Sequence, residues 1–186
     1  APVDEDGATR LTNALREASE LSFGNNQFEW FLRELRPGDL GHVCARQAIL
    51  YREDWGWGDK LEALMMEICA AYLRHFKPGK EQCWIAERGG RMLGSVFVAS
   101  EDHETARLRM LYVEPEARGL GVGSALVRQC TEFAREAGYK RIVLWTHQVL
   151  GSARKIYAAE GYKVASTEVQ TEFGKEEISE HWLLEL

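Results

Sequence analysis

Between Asp59 and Phe76, the apolar residues Leu61, Leu64, Met65, Ile68, Tyr72 and Phe76 recur at spacings of three and four. This period predicts an amphipathic helix with Asp59 as its cap and "KPGK" as its stop. Before it, "FEWFLRELR" alternates like a half-buried strand, "RPGDL" reads as a turn with Asp39 as a cap, and a helix is expected over Leu40–Arg52. A further short helix is expected over Thr9–Leu21, broken by "FGNNQ". After the helices the period changes to two. "QCWIAE" and "MLGSVFVAS" flank "RGGR", whose Gly89–Gly90 pair suits a tight hairpin turn, and "ARLRMLYV" continues the meander as a strand over Ala106–Val113.

Helical spacing returns at Val122, Ala125, Leu126, Cys130, Phe133, Ala134 and Ala137, with Gly138 as the stop. "RIVLW" follows as a short apolar run, expected to be a strand buried on both faces. Strand, helix and buried strand in succession predict a right-handed βαβ unit. "SARKIYAAE" is a short helix stopped by Gly161, and "YKVASTEVQ" and "EISEHWLLEL" form a closing antiparallel pair. The fold class is therefore α/β (α+β), with a mixed, mostly antiparallel sheet.

The 186 residues, 45% of them hydrophobic, suit one core. The expected division is a domain over 28–186, with 1–27 as an accessory helix or linker. Cys44, Cys69, Cys83 and Cys130 show no C-x-x-C and no histidine at metal-ligand spacing, which points to reduced core thiols and no metal. "APVDEDGATR" lacks an apolar leader core, and "LEALMMEICAAYL" is too short and too charged for a span, so a soluble cytoplasmic protein without membrane contact is expected. The net charge of −6 argues against general nucleic-acid binding. Yet Arg107–Lys155 holds nine basic residues against four acidic ones. That segment favours a polyanionic ligand.

At its centre lies "EPEARGLGVGSAL". Glycines between a strand and a helix leave first-turn amides free for phosphate. They equally serve a tight turn or close helix–strand packing, and spacing alone leaves both readings open. A Walker loop fails because no lysine follows Gly123, and a dinucleotide fingerprint fails at Ser124 and for want of an acid ending "RIVLW".

Arg118-x-x-Gly121-x-Gly123 resembles the R/Q-x-x-G-x-G/A coenzyme A motif of the GNAT superfamily of N-acetyltransferases. From about residue 30 to 186 the order of elements resembles that fold. "WIAERGGRMLGSVF", "LYVEPEARGLGVGSALV" and "ARKIYAAEGY" are similar to GNAT domains that occur alone or fused to MarR-type regulators. The resemblance implies that strand 109–113 splays from strand 141–145 and that Leu111, Tyr112 and Val113 line the pantetheine arm of acetyl-CoA. Arg118, Gly119, Leu120, Gly121, Val122, Gly123 and Ser124 would bind the pyrophosphate. It makes Tyr157 the general acid beside the coenzyme and the acceptor a primary amine on a small molecule or peptide.

Two positions depart from the family pattern. Leu150 stands where many members carry asparagine, with Ser152 as a replacement contact, and the strand glutamate of histone-directed members falls near Arg107 or Arg109. Glu53, Asp54, Asp59 and His147 are the candidate bases. Tyr51, Trp55 and Trp57 are a candidate aromatic wall for a cationic amine. An acyl-CoA sensor with little turnover is the alternative function, and Glu177–Leu186 is the candidate strand for pairing across a homodimer.

Overall fold

The structure, a computed structural model, describes residues 29–186. The helix expected over Thr9–Leu21 lies outside them. Seven strands and four helices follow in order: β1 (Phe31–Glu34), α1 (Asp39–Trp55), α2 (Asp59–His75), β2 (Gln82–Arg88), β3 (Arg91–Ser100), β4 (Thr105–Val113), α3 (Val122–Glu136), β5 (Arg141–His147), α4 (Gly151–Ala159), β6 (Lys163–Gln170) and β7 (Glu177–Glu185). The strands form one sheet in the order β1-β2-β3-β4-β5-β7-β6. Every pairing is antiparallel except that of β4 with β5.

The two apolar stripes read from the sequence cover opposite faces. Leu61, Met65, Cys69 and Tyr72 of α2 pack with Val43 and Leu50 of α1 over Ile85, Phe97 and Tyr112. Leu126, Val127, Cys130 and Ala134 of α3 pack over Val96, Val98, Leu108 and Ile142 on the other side. Both Leu126 and Val127 are fully buried, and each such side chain contributes about 1.5–3 kcal/mol. Gly89 and Gly90 take φ of +56° and +76°, as the tight turn between β2 and β3 requires.

Four expectations change. Gly38, not Asp39, caps α1; β1 brings Arg33 over the turn, and its guanidinium grips the Asp39 carboxylate at 2.7 and 3.0 Å. Gly58 likewise replaces Asp59 as the α2 cap. Strand β5 is not buried on both faces: Ile142 and Leu144 are, while Val143 and Trp145 are half-buried because a cavity opens on that side. Strand β7 cannot pair across a dimer, since β5 and β6 occupy both its edges and Trp182 and Leu184 lie in the core.

Candidate active site

The parallel pairing of β4 with β5 covers only Thr105, Ala106 and Arg107 against Arg141, Ile142 and Val143. Beyond them the strands part, as expected for 109–113 against 141–145. On its other side β4 stays paired to β3, but with one irregularity. Phe97 faces Arg109 and Ser95 faces Tyr112, so two residues of β4, Met110 and Leu111, stand against Val96 alone. Met110 takes φ +55°, the one non-glycine residue with positive φ among the described residues. A methionine there is strained. Ser95, fully buried, donates its hydroxyl to the Met110 carbonyl at 3.1 Å and holds the bulge.

The bulge changes which side chains face which layer. Before it Ala106 and Leu108 point to the α3 layer; after it Leu111 and Val113 do, while Met110 and Tyr112 join the α1/α2 layer. The opening between β4 and β5 therefore has two chambers, joined where Tyr51, Leu111, Leu150 and Ala153 line both.

The first chamber, 540 Å³, is bounded by the glycine-rich loop and α4. Of the residues expected at the coenzyme, Leu111, Tyr112, Val113, Arg118, Gly119, Gly121, Val122, Gly123, Ser124 and Ser152 line it. Two are outside its lining: Tyr157 opens on the second chamber, and Leu120 is half-exposed, its carbonyl accepting from the Trp30 indole at 3.3 Å. The glycines serve two purposes. Gly119 and Gly121 sit at φ +80° and +78°, and a Cβ on either would meet open space; their demand is on the backbone. Gly123 is helical, and a Cβ there would come within 2.7 Å of Ile156 Cδ1; its demand is close packing of α3 on α4. The turn thus accounts for Gly119 and Gly121, and close packing for Gly123.

Among the described residues no side chain caps α3, and no acid occupies its first turn. Its first loop-side bond runs from Ala125 N–H to Gly121 O, 3.0 Å, so the amides of Val122, Gly123 and Ser124 are left toward the chamber. Positive potential at this helix start suits a phosphate. Arg118, half-exposed at the lip, lies 3.5 Å from Asp54. The candidate base Asp54 thus belongs to this chamber.

The second chamber, 420 Å³, runs between β4, β5 and α2. It gathers His147 and Tyr157 with Trp57 and the apolar α2 face. Glu53 and Asp59 are exposed and line neither chamber. Tyr51 meets Trp55 and Trp57 edge to face at 5.3 and 5.2 Å, and the two indoles lie 5.8 Å apart. The aromatic wall is therefore a partition: Trp55 faces the first chamber and Trp57 the second.

His147 is buried against Trp57 and Trp145, each with its ring 4.7 Å away. Burial pushes its pKa below the ordinary value, although Glu177 Oε2 lies 3.5 Å from Nδ1 and pulls the other way. The imidazole is thus neutral near neutral pH, with a lone pair to offer. Burial pushes the Tyr157 phenol well up, so it stays protonated.

Three residues in or beside this chamber were not among the site residues expected from the chain. Glu177, held by the Trp57 indole at 3.0 Å, is the carboxylate beside His147. Gln47 is buried in α1 and donates from Nε2 to the Tyr51 hydroxyl at 3.1 Å and, weakly, to the Leu111 carbonyl at 3.4 Å. Its Oε1 has no partner among the described residues. Arg109 lines the chamber from β4, in the place where the family pattern suggested a glutamate. Among the described residues no cluster of His, Cys, Asp or Glu is placed to hold a metal, and no helix is long and apolar enough to cross a membrane.

The profile of the acetyltransferase (GNAT) family matches residues 45–162, more than half of the chain and both chambers' main walls. The chain belongs to the GNAT family. N-acetylaspartate synthetase of Danio rerio is 37% identical over 109 residues, 58% of this chain and 38% of that protein. Human N-acetyltransferase 8B is 36% identical over 85 residues, 43% and 37% of the two chains. The matches span less than half the length of these relatives. Among solved structures, an N-acetyltransferase of Staphylococcus aureus aligns with TM-score 0.69 at 18% identity, over 84% of this chain and 98% of that one. Spermidine N-acetyltransferase of Vibrio cholerae, with CoA and spermine, aligns with TM-score 0.62 at 18% identity, over 84% and 95%. At these identities the likeness establishes the GNAT fold, the architecture expected from the order of elements.

Proposed function

We propose that the chain transfers the acetyl group of acetyl-CoA to a primary amine of a small molecule or peptide by direct attack on the thioester. The observation that carries this reading is the pair of joined chambers where β4 parts from β5, one walled by free helix-start amides, the other by His147 and Tyr157. The first chamber fits the coenzyme: Gly119 and Gly121 leave room for phosphate oxygens, Arg118 adds a charge at the lip, and Leu111 and Val113 offer main-chain groups along the gap. When bound, acetyl-CoA supplies an activated acyl group.

The chain's own residues handle the amine and the protons. An alkylamine has a pKa of about 10.4, so near neutral pH it must lose a proton before it attacks. His147, kept neutral by burial, is the base that takes this proton, and Glu177 stabilises the imidazolium that forms. Gln47 Oε1, buried and unpartnered, accepts an N–H of the amine and directs its lone pair. Tyr157 donates its phenolic proton to the departing sulfur.

The test is thiol release from acetyl-CoA with a panel of primary amines, wild type against Tyr157→Phe. Loss of a general acid lowers kcat by about a hundredfold or more while coenzyme binding persists. Tight coenzyme binding with no thiol release for any amine would overturn the reading and leave an acyl-CoA sensor. The relatives' names differ on the acceptor, an amino acid in one and a polyamine in another, so this chain's acceptor has to be argued from its own cavity.

A further inference from the structure

The half-buried arginines of this domain are mostly clamped by carboxylates. Arg33 holds Asp39, Arg46 holds Glu114 at 2.6 and 2.8 Å, and Arg154 holds Glu180 at 2.9 and 3.1 Å. Arg107, two residues before Arg109 on the same strand, holds Glu101 through two bonds of 2.5 and 2.7 Å. Arg109 differs. It lines the second chamber, is half-buried, and has no ion pair or hydrogen bond among the described residues. The acid nearest it in charge terms, Glu101, is already engaged by Arg107.

A guanidinium stays charged, and withdrawing it from water without a counter-ion is costly. Burial and the Arg107 charge both press against its ionisation. The other acids of the chamber offer it no relief. Glu168 and Glu172 stand on and after β6, beyond β5 and β7, and Glu168 is bonded to Gln170 and His181. Glu177, behind the lining, faces His147 and Trp57 and lies 3.1 Å from the Lys175 ammonium. Across from Arg109 the α2 wall is apolar, made by Leu61, Leu64, Met65 and Ile68.

Resting on the acetyltransferase reading, we propose that the acceptor is an apolar amino acid whose free carboxylate is gripped by Arg109 and whose side chain lies on the α2 wall. A planar two-toothed donor matches a carboxylate and makes a charge-assisted pair. The same molecule presents its amine toward Gln47 and His147, which line the same chamber. The acidic surface of the chain as a whole would favour a cationic amine, but the chamber itself carries the opposite charge where β4 forms its wall.

The experiment compares phenylalanine, phenylalanine amide and phenethylamine as acceptors, with wild type, Arg109→Gln and Arg109→Lys. For wild type the acid is expected to exceed the amide and the amine at least tenfold in kcat/KM. Arg109→Gln removes that preference through KM, Arg109→Lys restores part of it, and the KM for acetyl-CoA is unchanged in both. Equal or better turnover of phenethylamine or spermidine, or an equal loss on acid and amide in Arg109→Gln, overturns the inference while the acetyltransferase reading stands. Calorimetric titration with N-acetylphenylalanine and its amide gives a readout independent of turnover. Tighter binding of the acid, abolished in Arg109→Gln, supports the carboxylate site even if no amine is acetylated; indistinguishable binding of acid and amide overturns it.

Discussion

Gly94→Ala reaches the coenzyme side of the cleft from outside it. Gly94 pairs with Val113 across β3 and β4, and an added Cβ would come inside 3.0 Å of the Tyr112 carbonyl oxygen and to 3.3 Å of Val113 Cα. Both obstacles are backbone, so no rotamer relieves them, and the strands must part by roughly 1 Å to restore an ordinary contact. Overpacking of this kind costs about 1–3 kcal/mol. Replacing glycine by alanine returns about 0.5–1 kcal/mol of chain entropy, so at the middle of both ranges the net loss is about 1.25 kcal/mol. At about 2–4 °C per kcal/mol for a domain of this size, that lowers Tm by about 2.5–5 °C. Displacing Tyr112 and Val113 also disturbs the strand that runs along the first chamber, so KM for acetyl-CoA rises severalfold. Gly41→Ala is the control: it lies in α1 with nothing within 4 Å of the new Cβ, and it gains stability without moving KM. A Gly94→Ala protein with wild-type Tm and wild-type KM would refute the argument that this close approach sets the position of β4.

Three further outcomes follow from the same geometry. Gly121→Ala forces a side chain into φ +78° and loses about 1–2 kcal/mol, measurable by urea unfolding, together with weaker binding of CoA. Ser95→Ala leaves the Met110 carbonyl buried without its donor and costs about 1–3 kcal/mol, with unfolding again the measurement. Because burial disfavours the charged form of His147, the acid limb of kcat against pH falls below the ordinary histidine value of about 6.5; activity rises through it and then levels, and His147→Gln removes the limb. An acid limb that survives in His147→Gln would assign the base elsewhere.

Much of the donor side was legible on the chain because each of its parts has a local cause. Gly121 and Gly123, the stripe from Val122 to Ala137 and the short apolar run "RIVLW" place a helix start at the end of a strand with no appeal to distant contacts. The acceptor side was less legible because its causes are tertiary. Met110 carries no turn signal, and its positive φ is imposed by the register of β3 and the hydroxyl of Ser95. Gln47 reads as one more polar position in an amphipathic helix until Leu111 comes beneath it. Glu177 becomes a partner of His147 only when β7 is laid beside β5, with Ser179 opposite His147. Trp57, within an apparent chain break, is 3% exposed because its indole is tied to that same glutamate 120 residues away.

The three residue pairs that join β4 to β5 have a mechanical consequence. Hydrogen bonds make one sheet of seven strands on paper, but past Arg107 and Val143 the molecule is two leaves on a short hinge. On one face the leaves are spanned by Trp57, which reaches His147 and Glu177, and on the other by α3, which packs on β2, β3 and β4 of one leaf and on β5 of the other. The width of the gap is therefore gauged by the girth of side chains under that helix, Leu126, Val127 and Cys130 among them. Residues that touch neither donor nor acceptor thus act as the spacer that decides how far apart the two reactants are held.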